Sequence, residues 1–397
     1  MKVTSPDIFY RTVLPGITGE FITELDDCIR LLTLIAQEQD ADLFKLVIFQ
    51  DPGSEKELSL REKYASDALN GIFPEKCPSF VLVCHTPEPG FAVSCEAGFV
   101  KRGSCRTLFQ RAGEYHYVIF EWPGFRELWA SGLRKKNDAD IFEDSAEGAF
   151  DEVHAILEKE GMNFNHIVRQ WNYIGGILQH NVICTSLTQN YQIFNEIRHQ
   201  YFQKFLTTKG FPAATGIGNK FGHVTIDICA FQSMDQELHT FGISNPSQVN
   251  AYQYGQQVLV GSPILSHQVK HPPEFERAKL LVSRDQIRLF ISGTASIIGQ
   301  ETIGKEDIEK QTLCTISNIE KLTDPENVRR CFPGLPSGSF TYSSLRVYVK
   351  QMEDLEITKS VCRQKFGDIP LVYVVADICR DDLLMEIEGE MIFIPTT

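Results

Sequence analysis

The sequence predicts an α+β fold in which three similar units, each a small antiparallel sheet backed by two helices, are joined in one chain. Three observations carry this. An order of helix, strand, helix, strand, strand returns three times along the 397 residues. The apolar runs between the helical patterns are short and of β type. Two polar stretches, Leu133 to Ala146 and Ser233 to Pro273, read as linkers. A sheet of this kind leaves one apolar face bare. Three of them brought together bury those faces around a common axis, so the chain is expected to be a monomer with pseudo-threefold symmetry, an internal pseudo-trimer.

In the first unit, Leu25, Cys28, Leu31, Leu32 and Ile35 follow helical spacing, and Leu43 to Phe49 is a strand closed by Asp51-Pro52-Gly53. A second helix surrounds Arg61 to Leu69, and Phe73 to Val100 holds two strands about a Pro/Gly turn. In the second unit, Glu114 to Trp122 is a leading strand that the first unit lacks. Phe150, Val153, Ile156 and Leu157 mark a helix stopped by Gly161. Ile167 to Ile174 is a strand, Tyr191 to Phe205 a helix, and Phe211 to Gln232 the closing strands. In the third unit, Arg288 to Gly299 leads, Lys305 to Leu322 is helical and Leu345 to Asp354 is a strand. A short helix precedes Gly367, and Ile369 to Ile394 closes the chain. The expected divisions are 1–104 for a partial first unit, 105–240 for the second, 241–274 for a linker and 275–397 for the third.

Composition narrows the function. A hydrophobic content of 43% and a charged content of 23% are those of an ordinary globular protein. No apolar run is long enough to span a membrane, and the first residues do not read as a signal peptide. The net charge of -14 argues against a nucleic-acid partner but leaves room for a small anionic substrate met by local arginines. The 11 cysteines are scattered, with no CxxC, as expected for reduced thiols in a cytoplasm. Cys84-His85 has no further partner for a metal or for nucleophilic catalysis. Trp171, Tyr173 and Tyr191 read as core or pocket wall.

The closing strand is the most unusual stretch. Glu386, Glu388 and Glu390 share one face at a spacing of two, with Met385, Ile387 and Met391 on the other. A strand buried on both faces does not ordinarily carry such a run. Either the face is wet, or one acid is held in a cleft. The closing strands of the other units read Ser94-Cys95-Glu96 and Asp227-Ile228-Cys229, so the Glu-Ile-Glu face occurs once.

The third unit resembles the Rid (YjgF) fold. It has Ser292-Gly293 after its leading strand, Gln311 and Asn318-Ile319 on its helix, and Met385-Glu386-Ile387-Glu388 at its end. Over Glu114 to Phe393 the segments VRQWNYIGGI, YQIFNEIRHQYF, FPAATGIG, FERA, ISGTASIIGQET and ADICRDDLLMEIEG together resemble the chorismatases, relatives of the Rid fold. The resemblance implies an enzyme that needs no cofactor and no metal, and that cleaves the enolpyruvyl ether of chorismate to release pyruvate. Two departures stand out: Gln300 where a His is expected, and Leu371 where Rid proteins carry a substrate-binding arginine. The latter argues against Rid-type imine hydrolysis.

The chemistry assigns roles. Protonating the ether's methylene carbon needs a carboxylic acid that stays protonated near neutral pH, which burial supplies. Glu386, matching the family's first Glu of Glu-Ile-Glu, is the candidate general acid, and Glu388 could couple to it. Arg277 and Arg198 are candidates for the substrate carboxylates, with Arg346 a further one, while Arg380 is expected to pair locally with Asp381-Asp382. Gly293, Ala295 and Gly216 allow close backbone approach. A Cys at the place of Cys379 resembles the branch that forms 3-hydroxybenzoate rather than a dihydroxycyclohexadiene carboxylate; a structural thiol is the other reading. Two further functions stay open: an enzyme of specialised metabolism acting on a different substrate, and a non-catalytic small-molecule-binding protein.

Overall fold

The computed structural model describes residues 7–135, 141–183, 186–207, 210–221, 224–235, 237–261, 269–284 and 286–396. The first sheet comes from β1 (Ile8–Val13), β2 (Ala41–Gln50), β3 (Ser79–Val83) and β4 (Val93–Lys101), with α1 (Phe21–Glu38) and α2 (Glu55–Ile72). Leu25, Cys28, Ile29, Leu32 and Ala36 form the buried stripe of α1. The Ser54 hydroxyl caps α2 by accepting from Glu57 N.

The second sheet comprises β5 (Arg106–Ala112), β6 (Tyr115–Trp122), β7 (Phe125–Leu133), β8 (Ile167–Gly175), β11 (Ala213–Asn219) and β12 (Val224–Ser233). A small hairpin, β9 (His180–Ile183) and β10 (Ser186–Gln189), lies apart from it, and α3 (Phe142–Lys159) and α4 (Asn190–Phe205) complete this part.

The third sheet comprises β13 (His239–Ile243), β14 (Ala278–Val282), β15 (Ile287–Ala295), β18 (Gly338–Val349), β19 (Leu371–Val375) and β20 (Met385–Pro395). A second small hairpin is β16 (Ile297–Ile298) with β17 (Glu301–Thr302). The helices are α5 (Ile308–Thr323), α6 (Pro325–Cys331) and α7 (Leu355–Phe366). Asp307 caps α5, Asp324 caps α6 ahead of Pro325, and Gly367 ends α7 at φ 69°.

The three sheets share one plan. Their orders are β1-β4-β2-β3, β5-β6-β7-β12-β8-β11 and β13-β14-β15-β20-β18-β19. In each, a middle strand (β2, β8, β18) runs parallel to the strand reached through the next helix (α2, α4, α7), and antiparallel to the closing strand. A helix must intervene because a parallel pair cannot be joined by a tight turn.

Three of these findings differ from the sequence expectation. The first unit does have a leading strand, β1, whose six residues pair with β4. The two strands around the Pro/Gly turn of the first unit do not pair with each other, because β2 lies between them. The stretch expected to be a linker from 241 opens inside β13, which pairs with β14.

Each sheet is covered on both faces. One apolar cluster lies between each sheet and its helices. A fourth is central and takes residues from all three sheets, among them Phe44, Phe49, Phe120, Trp129, Trp171, Phe290 and Tyr348. No helix among the described residues is long and apolar enough to cross a membrane.

Candidate active site

The acids of β20 face the central cluster, not solvent, and each meets a different neighbour. Glu390 accepts from Arg288 Nε at 2.9 Å and from the Tyr10 hydroxyl at 2.8 Å, and Arg288 also bonds Glu127 at 2.7 Å. Glu388 accepts from Arg169 at 2.5 Å, from the Trp171 indole at 2.9 Å, from the Tyr348 hydroxyl at 3.1 Å and from the Thr215 hydroxyl. Arg346 lies 3.2 Å away from it. The expected alternative of a wet face is therefore not found, because Arg169 of the second sheet and Arg288 and Arg346 of the third supply the counterions.

Glu386, 4% exposed, opens on a pocket between the second and third sheets. No hydrogen bond or ion pair to its carboxyl occurs among the described residues. Burial first, then the charge of Glu388, push its pKa up to about 8 against the pull of Arg169 and Arg277. Glu388 goes the other way. Burial works to raise it, but Arg169 and Arg346, with bonds from Thr215 and Tyr348, hold it below the usual range. The two acids thus share a side, as the spacing requires, with opposite protonation.

Local structure aims Glu386. Gly293 leaves room for its carboxyl: a Cβ there would run into Glu386 Oε1. Gly293 N donates to the Thr215 hydroxyl at 3.0 Å, and Ser292 Oγ accepts from Ala214 N at 2.9 Å, which stitches β15 to β11. Gln311 on α5 donates to Asp382 O and accepts from Leu384 N, both at 2.8 Å, fixing the approach to β20. Asn318 donates to Ala295 O at 3.1 Å and Ile297 O at 2.9 Å.

Most of the expected residues come together here. Gly293, Ala295, Gly216, Arg277, Cys379 and Glu386 all line the pocket. A Cβ on Gly216 would meet the Tyr191 ring at 2.9 Å. Arg277 donates to Val249 O at 2.5 Å and the Tyr254 hydroxyl at 2.7 Å, while its buried Nε has no partner. Arg198 lies behind the wall and donates to Asn195 Oδ1 at 2.6 Å. Its Nε and the Nδ2 of Asn195, a lining residue, are also buried without partners. No carboxylate pairs with either arginine among the described residues. Buried donors left unpaired are costly, and Arg277 Nε and Asn195 Nδ2, both on lining residues, are the two that an anion in the pocket would satisfy. Burial pushes the Cys379 thiol up to about 12, so it stays neutral.

Two arginines stand elsewhere than expected. Arg346 does not reach the pocket. It lies among the central cluster, bonded to Glu96 at 2.7 and 3.1 Å and to Tyr173 at 3.1 Å and Tyr348 at 3.0 Å. Its strand position turns it from the pocket toward the first sheet. Arg380 does not pair with its neighbouring aspartates. It donates to Gln300 O at 2.9 Å, lies over the Tyr254 ring and lines the pocket. Gln300, the departure from the family pattern, accepts from Gly255 N at 3.1 Å.

The sequence missed a whole wall. Tyr254, Val258, Leu259, Val260, Pro273 and Phe275 line the pocket, and most belong to the stretch expected to be a linker. Its polar composition hid them; the aromatic and β-branched residues spaced through it were the available signal. His85, in the dipeptide set aside as a metal pair, bonds Gly218 O at 2.7 Å within the core.

Fold and site together define a pocket built between two sheets of one chain around a single buried carboxyl, that of Glu386. A family model described as chorismatase FkbO/Hyg5-like, N-terminal, matches residues 112–230. The chain is 31% identical over 258 residues to a 3-hydroxybenzoate synthase of Streptomyces hygroscopicus, covering 62% of this chain and 69% of that one. It is 29% identical over 267 residues to a chorismatase of the same organism, covering 66% and 72%. A crystal structure of a chorismatase has the same fold, with a TM-score of 0.64 at 21% identity over 98% of this chain and 99% of that one. The chain belongs to the chorismatase family.

Proposed function

We propose that this protein cleaves the enolpyruvyl ether of chorismate to pyruvate and a hydroxybenzoate, with Glu386 as general acid. The observation that carries the reading is Glu386 itself: a buried carboxyl, free of counterions, raised to about 8 and facing a pocket whose arginines lack carboxylate partners. A carboxyl in that range is protonated at neutral pH yet acidic enough to donate.

Chorismate is a dianion. Arg277 meets one carboxylate, and the second lies toward Asn195 and Arg198. Glu386 gives its proton to the methylene carbon, and positive charge develops on the neighbouring carbon and the ether oxygen. Attack there by water would yield pyruvate and a dihydroxycyclohexadiene carboxylate. Capture by an oxygen of the substrate, followed by aromatisation, gives pyruvate and 3-hydroxybenzoate without net water. The neutral Cys379 beside Glu386, and the relative named 3-hydroxybenzoate synthase, support the second product.

Incubation of the purified protein with chorismate, with pyruvate assayed and the ring product identified by mass, tests this. Glu386→Gln is expected to abolish release while the far-ultraviolet dichroism is unchanged. No pyruvate from the native protein at high enzyme concentration would refute it.

A further inference from the structure

The three sheets place acids and bases in one register, and the third sheet breaks the pattern. Each middle strand carries a base: Lys45 on β2, Arg169 on β8, Arg346 on β18. Antiparallel pairing sets Val47 opposite Glu96, Trp171 opposite Asp227 and Tyr348 opposite Glu386. It sets Lys45 opposite Gly98, Arg169 opposite Cys229 and Arg346 opposite Glu388. Glu96, Asp227 and Glu386 therefore occupy one equivalent position. Glu388 is an extra acid, where the other sheets have Gly98 and Cys229.

Each base serves the acid of the next sheet in a cycle. Arg346 of the third sheet holds both oxygens of Glu96 in the first, at 2.7 and 3.1 Å. Lys45 of the first sheet, its ammonium 3.7 Å from the Trp171 ring centre, is the foremost charge opposing the burial that raises Asp227 of the second to about 6. By the same cycle Arg169 of the second sheet belongs to Glu386 of the third. It goes instead to Glu388, two residues along the same face.

We infer that Glu388 is a positioning residue: it captures the arginine that the register assigns to Glu386, and so leaves Glu386 uncompensated as the pocket's proton donor. This rests on Glu386 being the general acid proposed above. Glu388 touches no substrate in this scheme and acts through Arg169. The charged and titratable groups around Glu386 are Arg277 before β14, Tyr191 on α4, Cys379 and Arg380 before β20, Tyr348 across on β18, Arg169 on β8 and Glu388 on its own strand. Removing the charge of Glu388 takes away a like charge and frees an opposite one. Both changes favour the ionised, inactive form of Glu386.

The experiment compares kcat against pH in the native protein, Glu388→Gln, Arg169→Gln and the double variant. Native activity should fall on the alkaline side near pH 8, where Glu386 ionises. In Glu388→Gln that limb should move down by about one to two pH units, with about a two- to tenfold loss of kcat at pH 7 that returns at lower pH and with KM little changed. Arg169→Gln should move the limb up. The double variant, lacking both partners, should regain the native limb. A role limited to stability would instead lower activity at every pH and more so in the double variant.

A folded Glu388→Gln with the native limb overturns the inference. If that variant does not fold, Arg169→Gln decides alone, and a limb that stays put or moves down overturns it. Infrared titration of the Glu386 carboxyl, with Glu386→Gln as the blank, reads the same shift without turnover. A native protein that releases no pyruvate therefore refutes the function, while an unmoved carboxyl titration in Glu388→Gln refutes the positioning role.

Discussion

Replacing Glu386 with glutamine should make the protein more stable, by an amount that depends on pH. The carboxyl is fully buried, and its pKa is raised from the ordinary 4.5 to about 8. The unfolded chain holds it ionised at pH 7, while the fold holds it protonated. A folded pKa above the unfolded one means the folded state binds the extra proton. The group's contribution is thus most favourable below pH 4.5 and is lost as pH rises toward 8. At about 1.4 kcal/mol per pH unit, taking up that proton at pH 7 costs about 3 kcal/mol. Glutamine keeps the shape and never ionises, so it avoids this cost. Urea unfolding of both proteins at pH 4.5, 7 and 8 reads the difference. The variant's advantage should be near zero at pH 4.5, about 3 kcal/mol at pH 7 and larger again at pH 8. A gain that is the same at every pH, or a variant less stable than the native protein at pH 7, refutes the argument. The expected result is the trade familiar from active sites, in which a group held in an unfavourable state for function lowers stability.

Further outcomes are expected at neighbouring positions. Gly293→Ala places a methyl group against Glu386 Oε1, and displacing the acid should lower kcat by about a hundredfold with little change in thermal midpoint. Arg277→Met removes a buried charged donor from the pocket, and kcat/KM for chorismate should fall roughly ten- to a hundredfold, mostly through KM. Arg346→Met leaves the buried Glu96 without its cation and Glu388 with only Arg169, so denaturant unfolding should show a loss of about 3–5 kcal/mol. A loss confined to catalysis would contradict its place outside the pocket.

Much of the fold was legible because helices and strands write different periods into the chain. The buried stripe of α1 and the apolar run of β2 are local signals, and so is the recurrence of their order. The leading strand β1 was missed because Phe9 and Tyr10 lie in a short stretch without alternation long enough to count. The pocket wall of Tyr254, Val258, Leu259, Val260, Pro273 and Phe275 was missed for a different reason. These residues lie in loops and a single short 3-10 turn, which write no period into the sequence.

For the closing strand, the sequence by itself determined that Glu386, Glu388 and Glu390 share a face, that Gly293 precedes them in the third unit, and that neither other unit repeats this pattern. Their chemistry was not in that spacing. Three carboxylates at equal intervals on one strand are alike until their counterions are known. The counterions come from far along the chain: Arg169 lies 219 residues before Glu388, and Arg346 lies 250 residues after Glu96. The tertiary structure decided which acid meets a cation and which meets a pocket. Inside a protein of low dielectric constant, that choice alone ionises Glu388 and leaves Glu386 with its proton.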